Sequence, residues 1–204
     1  MLKREEKKQM ILNAATECFS KNGYDKTTLD EIGHKVSLNK ATLYYYYSSK
    51  DDLFCDVIYA EAHRFRELVR VGITEKRGIE NKIVFLLFER TKFYQHLSLL
   101  HDIIVEQGRK IEPIFISLRD SIYKEERNLL VAIIKEAMDQ GEIRYSDANR
   151  VADVFLKMAN SMAVESNQAV MMNDDKGFDS SNDPILDDIR FTTRLIVSGI
   201  SARA

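Results

Sequence analysis

Three helix starts crowd into residues 24–54 with almost no chain between them, and that spacing leaves few folds open. Residues 28–31 read Thr-x-x-Glu, a pattern in which two side chains satisfy the free N–H groups at the start of a helix. Leu29, Ile32 and Val36 follow at spacings of three and four, which puts them on one side of an α-helix. Only Ser37 and Leu38 separate that helix from Asn39, a good cap for the next one. Leu38 and Leu43 stand where a hydrophobic pair fixes the angle of entry. The second helix spans residues 39–46. With Leu43 turned inward, Lys40, Ala41, Thr42, Tyr44 and Tyr45 face outward, and none of them is acidic. Ser49 caps a third helix, with Asp51 and Asp52 in its first turn, where carboxylates suit the positive end of the helix dipole.

Upstream, residues 3–22 form an amphipathic pattern in which Ile11, Leu12, Ala15, Cys18 and Phe19 make one apolar stripe. Gly23 is expected to end that helix in the left-handed conformation, with Phe19 and Tyr24 placed to touch across the stop. Two short helices joined by a tight turn, the second exposing lysine, threonine and tyrosine, make a helix-turn-helix. In that motif the second helix enters the DNA major groove.

The residues Ile11-Leu12-x-Ala14-Ala15, Phe19, Gly23-Tyr24, Thr27-Thr28, Ile32, Thr42-Leu43-Tyr44-Tyr45 and Ser49-Lys50-x-x-Leu53 together resemble the TetR family of transcriptional regulators, over residues 8–54. The resemblance implies an all-α chain. A three-helix DNA-binding domain at residues 1–48 would precede a helical effector-binding and dimerisation domain at 49–204, with about nine helices in total. It further implies a homodimer on a palindromic double-stranded operator, acting as a repressor and released by a small-molecule effector. Lys40, Ala41, Thr42, Tyr44 and Tyr45 fall where the family approaches bases or nearby phosphates. Thr28, Tyr46 and Lys50 fall where phosphate contacts are usual, and Asn39 lies on the same surface as the cap. Gly33, Ser37, Asn39 and Ala41 depart from the family pattern. Ser37 is the costly one, because a turn that favours φ > 0 strains any residue with a Cβ.

The remainder parses into further helices at residues 49–71, 78–97, 98–108, 113–141 and 147–172, and one starting at 183. Val151, Phe155, Met158 and Met162 share a face of the penultimate helix, and Leu186, Ile189 and Ile196 a face of the last. Between those two, residues 173–183 are rich in Asp, Ser, Asn and Gly and are expected to form a disordered loop. Phe155, Met158, Ala159, Met162, Phe191, Leu195 and Ser198 are candidates for a dimer interface built as a four-helix bundle. The family also implies a ligand pocket, for which Phe85, Phe88, Tyr94, His96, His101, Tyr123 and Met158 are lining candidates. Each aromatic or methionine among them suits an ordinary core equally well.

Other function classes find little support. His63, His96 and His101 with Asp102 and Glu106 lack the spacing of metal ligands, so no metal or cofactor is expected. No nucleophile elbow or phosphate-binding glycine loop is present, so an enzyme is not expected. The alternative to a regulator is a helical ligand-binding or adaptor protein that does not read DNA.

Charge separates along the chain. Residues 1–50 hold nine Lys or Arg against six Asp or Glu, whereas the other 154 hold 21 against 26. Lys3, Arg4, Lys7, Lys8, Lys40 and Lys50 thus gather positive charge at the end that would meet phosphate. No run of 18 apolar residues suggests a membrane span, and the charged N-terminus lacks the pattern of a signal peptide. Cys18 and Cys55 are expected to be reduced, packed thiols, and the location cytoplasmic.

Overall fold

The computed structural model describes residues 4–107, 112–145, 147–172 and 184–201, with side chains outside 95–115 and 163–172. Its elements are α1 (Arg4–Lys26), α2 (Leu29–Lys35), α3 (Lys40–Tyr46), α4 (Lys50–Thr74), α5 (Ile79–Gln107), α6 (Glu112–Asp139), α7 (Ala148–Met172) and α8 (Pro184–Ile200). Apart from an isolated bridge between Ile143 and Ser201, the described residues contain no β-structure. There are eight helices among them rather than about nine, because α5 runs through Ser98 without the expected break. The expected end of α4 near Gly72 is also absent. The helix continues to Thr74, and Gly72 instead lets the Phe85 ring close on the backbone, since a Cβ there would lie 2.2 Å from Phe85 Cζ. Residues 173–183 lie outside the described residues.

The chain divides into two compact units, Met1–Arg64 with His96–Asp120, and Phe65–Gln95 with Ser121–Ala204. In the first, the α1 stripe of Ile11, Leu12, Ala15, Cys18 and Phe19 is buried with Ile32 of α2, Leu43 of α3, and Leu53, Phe54 and Val57 of α4. Phe19, Tyr24 and Phe54 form an aromatic cluster with ring centroids 5.0–5.8 Å apart. Gly23 breaks α1 with φ 77° and ψ 169°, an extended glycine-only conformation rather than the left-handed helical one expected. The hydroxyl of Thr27, fully buried, lies 2.7 Å from Gly23 O and 3.1 Å from Cys18 O, so its one proton serves carbonyls that the break leaves open.

The turn between α2 and α3 follows directly from its bonds. Leu38 N–H donates to Gly33 O at 2.8 Å and Ser37 N–H to His34 O at 3.1 Å, the two bonds of a Schellman stop. That motif forces φ > 0 on the residue at the corner, and Ser37 sits there at φ 56°. Its Cβ strain of roughly 1 kcal/mol is the cost anticipated for a non-glycine at this position. Ser37→Gly should therefore raise stability, by about 0.5 kcal/mol once the extra freedom of the unfolded glycine is subtracted. Denaturant unfolding of the two proteins checks this, and a loss on substitution would show that the serine side chain has another role.

In the second unit the core comprises Ile83, Leu86 and Leu87 of α5, Ile122, Leu130 and Ile134 of α6, Phe155 and Leu156 of α7, and Ile189 of α8. The inward stripe of α8 is Ile185, Ile189, Thr193 and Val197, spaced by four. Leu186 and Ile196, expected on that face, flank it half-buried. α6 ends as expected at Gly141, where Glu142 N–H bonds Ala137 O and Gly141 N–H bonds Met138 O.

Candidate nucleic-acid interface

The surface predicted to meet DNA is assembled by three caps and one clamp. Thr28 Oγ1 accepts from Glu31 N–H at 3.1 Å and starts α2. Asn39 Oδ1 accepts from Thr42 N–H at 2.8 Å and starts α3. Ser49 does the same for α4 through Asp52 N–H at 3.0 Å. With Leu43 fully buried as the inward anchor, α3 can present only its other faces. Tyr45 is 69% exposed and Tyr44 46%, while Lys40, Ala41, Asn39 and Thr28 are exposed and Thr42 and Tyr46 half-buried. Tyr44, Tyr45, Lys40 and Ala41 thus stand together on one accessible helix.

Lys40 is held near its place. Its Nζ lies 3.1 Å from Asp30 Oδ2 of α2 and 5.9 Å from the Tyr44 ring centroid. Both charged ends are open to water, so the pair is weak and phosphate or a base can replace Asp30. The hydrogen bond to Asp30 holds the Lys40 amine above its ordinary pKa, so it stays protonated.

Two residues of α1 that the sequence offered only as part of a positive cluster join this surface. Arg4 approaches the Tyr45 ring at 5.9 Å, and Lys8 lies 5.6 Å from the Tyr47 ring and 2.8 Å from Asp56 Oδ2. Tyr47 caps the C-terminal end of α3 and donates its hydroxyl to the same Asp56 at 3.3 Å. Burial and the Asp56 carboxylate push its phenol well above the usual tyrosine range.

Lys50, expected at a phosphate contact, also has partners within the protein. Its amine donates to Tyr24 O at 2.8 Å and Thr27 O at 3.1 Å and sits 4.0 Å from the Tyr24 ring centroid. Two of its three N–H groups are thus directed into the protein, where they tie the connection after α1 to the start of α4. Lys50→Ala should lower stability by about 2 kcal/mol, from two hydrogen bonds to a charged donor and one ring contact. The salt dependence of DNA binding should stay nearly unchanged. A slope flattened by one unit with stability intact would restore the phosphate contact expected from sequence.

The pocket candidates do not converge. Phe85 packs on Gly72, Phe88 lies under Lys92 at 5.0 Å, and Tyr94 lies under the Arg90 guanidinium at 4.5 Å. Tyr123 and Met158 are half-buried, and the side chains of His96 and His101 lie outside the described residues. A cavity of about 120 Å³ lies elsewhere in the second unit, lined by Phe65, Arg66, Val69, Leu86, Ile122, Glu125, Glu126 and Leu129. Beside it Arg90 Nε donates to Glu126 Oε2 at 3.0 Å and Arg90 Nη2 to Asn160 Oδ1 at 2.5 Å. Burial pushes the Glu126 carboxyl up to about 7, although Arg90 pulls it down.

The dimer candidates separate into three groups by burial. Phe155 and Ala159 are fully buried within the chain and have no surface to offer a partner. Met158 and Met162 are half-buried. Phe191, Leu195 and Ser198 are exposed on α8, the first two at 65% and 57%, and Val154 of α7, not among the candidates, is exposed as well.

Known proteins share this arrangement. The sequence model described as bacterial regulatory proteins, tetR family, matches residues 11–57, the segment that builds α2, α3 and their supports. The HTH-type transcriptional regulator QacR of Staphylococcus aureus is 30% identical over 144 residues, covering 71% of this chain and 67% of QacR. The fatty acid metabolism regulator protein of Bacillus subtilis is 25% identical over 150 residues, covering 71% and 74%. A crystal structure of a transcriptional regulator from Cytophaga hutchinsonii superposes with a TM-score of 0.75 at 22% identity, covering 96% of this chain and 99% of that one. With its capped helix-turn-helix and its helical remainder both matched, the chain belongs to the TetR family of transcriptional regulators.

Proposed function

We propose that the protein is a cytoplasmic repressor that binds a palindromic operator as a homodimer and is released by a small molecule. In this reading residues 1–48 read DNA and 49–204 bind the effector and dimerise. The carrying observation is the outer face of α3, where Lys40, Tyr44 and Tyr45 are accessible on a helix anchored by Leu43 and capped by Asn39. Lysine and tyrosine there can donate to base edges and phosphates, and the Thr42 methyl suits thymine. One such helix spans too few bases to specify a site, so a second copy reading the other half-site is required. Phe191, Leu195 and Val154 supply exposed apolar surface for that pairing. Effector release follows if the ligand binds the DNA-free conformation more tightly than the DNA-bound one.

Selection of bound fragments from a random DNA pool tests the reading. The protein should enrich a two-fold symmetric motif. Lys40→Ala/Tyr44→Ala/Tyr45→Ala should bind it at least about 100-fold more weakly, since each good base contact contributes roughly 1–3 kcal/mol. Unchanged binding by the triple variant would sink the assignment of α3 as the reader. No enrichment at low salt by a folded protein would favour the ligand-binding or adaptor alternative.

A further inference from the structure

The cavity of about 120 Å³ has one feature that an ordinary packing void lacks. Glu126 lines it, and the Glu126 side chain is 97% buried, with only 3% exposed. Oε2 is bound to Arg90, while Oε1 is buried with no hydrogen-bond partner among the described residues. A buried acceptor left in this state has lost water without replacing it, so a molecule that supplies a donor there is favoured.

The remaining walls define the rest of that molecule. Phe65, Val69, Leu86, Ile122 and Leu129 are apolar, so the body it holds is apolar too. Formal charge at the site is already balanced. Arg90 of α5 faces Glu126, and Arg66 Nε of α4 lies 2.6 Å from Glu125 Oε2 of α6, an ion pair by distance whose angles do not make a hydrogen bond. A cation would add an uncompensated buried charge, and an anion would oppose the two glutamates. The volume falls below the roughly 300–1,000 Å³ of drug-sized pockets and close to the ~150 Å³ that accepts a benzene ring. The part that enters is therefore one small ring or a short branched chain.

We propose that this cavity binds a small, neutral, mostly apolar molecule that donates one N–H or O–H group to Glu126 Oε1. This deepens the regulatory reading by naming the chemical class of the effector, and it rests on that reading only for the consequence on DNA.

Pyrrole and furan separate the claim from general hydrophobic binding, because the rings match in size and only pyrrole carries an N–H donor. In an NMR titration of the full chain at pH 8, pyrrole should bind about tenfold more tightly than furan, the effect of one hydrogen bond to a carboxylate. At pH 6, below the value near 7 for Glu126, that preference should largely disappear. Glu126→Gln, which turns an amide N–H₂ toward the cavity, should cancel or invert it. Leu129→Phe, which fills the space, should abolish binding of both rings and keeps the test open should the first variant not fold.

Equal binding of the two rings by the natural chain, or none, overturns the proposal, as does undiminished binding in Leu129→Phe. Tighter binding of cyclopentylammonium than of pyrrole overturns the neutral class. Operator selection with the same preparation distinguishes the failures. No ring binding by a protein that still selects an operator sinks the cavity inference alone. Ring binding with the donor preference, by a protein that selects no operator, sinks the DNA-reading proposal alone.

Discussion

Replacing Arg90 by methionine should destabilise the protein by roughly 3–5 kcal/mol at pH 8, because it leaves a buried carboxylate without its cation. The Arg90 and Glu126 side chains are each 3% exposed, so water cannot take over the role of the guanidinium. Methionine preserves most of the volume, which isolates the charge from the packing. The loss should shrink towards pH 5, and its sign follows from the Glu126 carboxyl. Its folded-state value is raised from 4.5 to about 7, so the folded state binds the proton more tightly than the unfolded chain. This contribution to stability is fully present below pH 4.5 and is lost as pH rises through 7. Removing Arg90 raises the carboxyl further, so the variant continues to lose stability at pH values where the natural protein has levelled off. Arg90→Met/Glu126→Leu should recover most of the loss, since an apolar replacement of both partners leaves nothing unpaired. Denaturant unfolding of the natural protein, Arg90→Met, Glu126→Leu and the double variant at pH 5 and pH 8 gives the full cycle. A double variant as unstable as the single one would show that packing, not charge, is the main cause.

Phe54→Ala should cost a comparable 3–5 kcal/mol, this time in the unit that carries α3. The Phe54 ring is fully buried and meets Phe19 and Tyr24 edge-on, each at 5.0 Å. Those rings hold the end of α1 against α4, and Lys50 ties the same connection from above the Tyr24 face. Alanine would leave a cavity among rings already held by Gly23 and Thr27, which limits how far they can collapse. Operator binding should fall with the folded fraction and return at temperatures where the variant is folded. Tyr45→Ala is the matching control. That side chain is 69% exposed, so its loss should change stability by less than about 0.5 kcal/mol while weakening operator binding. Circular dichroism melts and operator retardation on both variants separate the two effects. A Phe54→Ala protein as stable as the natural one would show that the aromatic cluster does not hold this unit together.

The sequence alone determined what nearest neighbours decide. Thr28, Asn39 and Ser49 bond N–H groups three residues away, and Ser37 and Gly141 occupy corners whose bonds span five residues or fewer. Such caps and stops place α2 and α3, and Leu43 as the inward residue then dictates that Tyr44 and Tyr45 face outward. Helix breaks were less legible. Gly72 does not end α4, because whether a glycine stops a helix or admits a neighbour depends on Phe85, which arrives from the next helix.

Tertiary structure decided every role that needs a distant partner. Nothing near Lys50 in sequence indicates that Tyr24 O and Thr27 O will claim its amine. Phe155 and Phe191 are both aromatics on apolar helices, yet one is core and the other surface. Arg90 and Glu126 left a trace, since each lies four residues from a buried leucine or isoleucine on its own helix. That spacing places a charge on an inward face, but only packing shows that the two charges meet, that Asn160 joins them and that one oxygen is left over. Local hydrogen bonds carry their geometry within a few residues of chain, whereas burial and pairing across helices are properties of the assembled core.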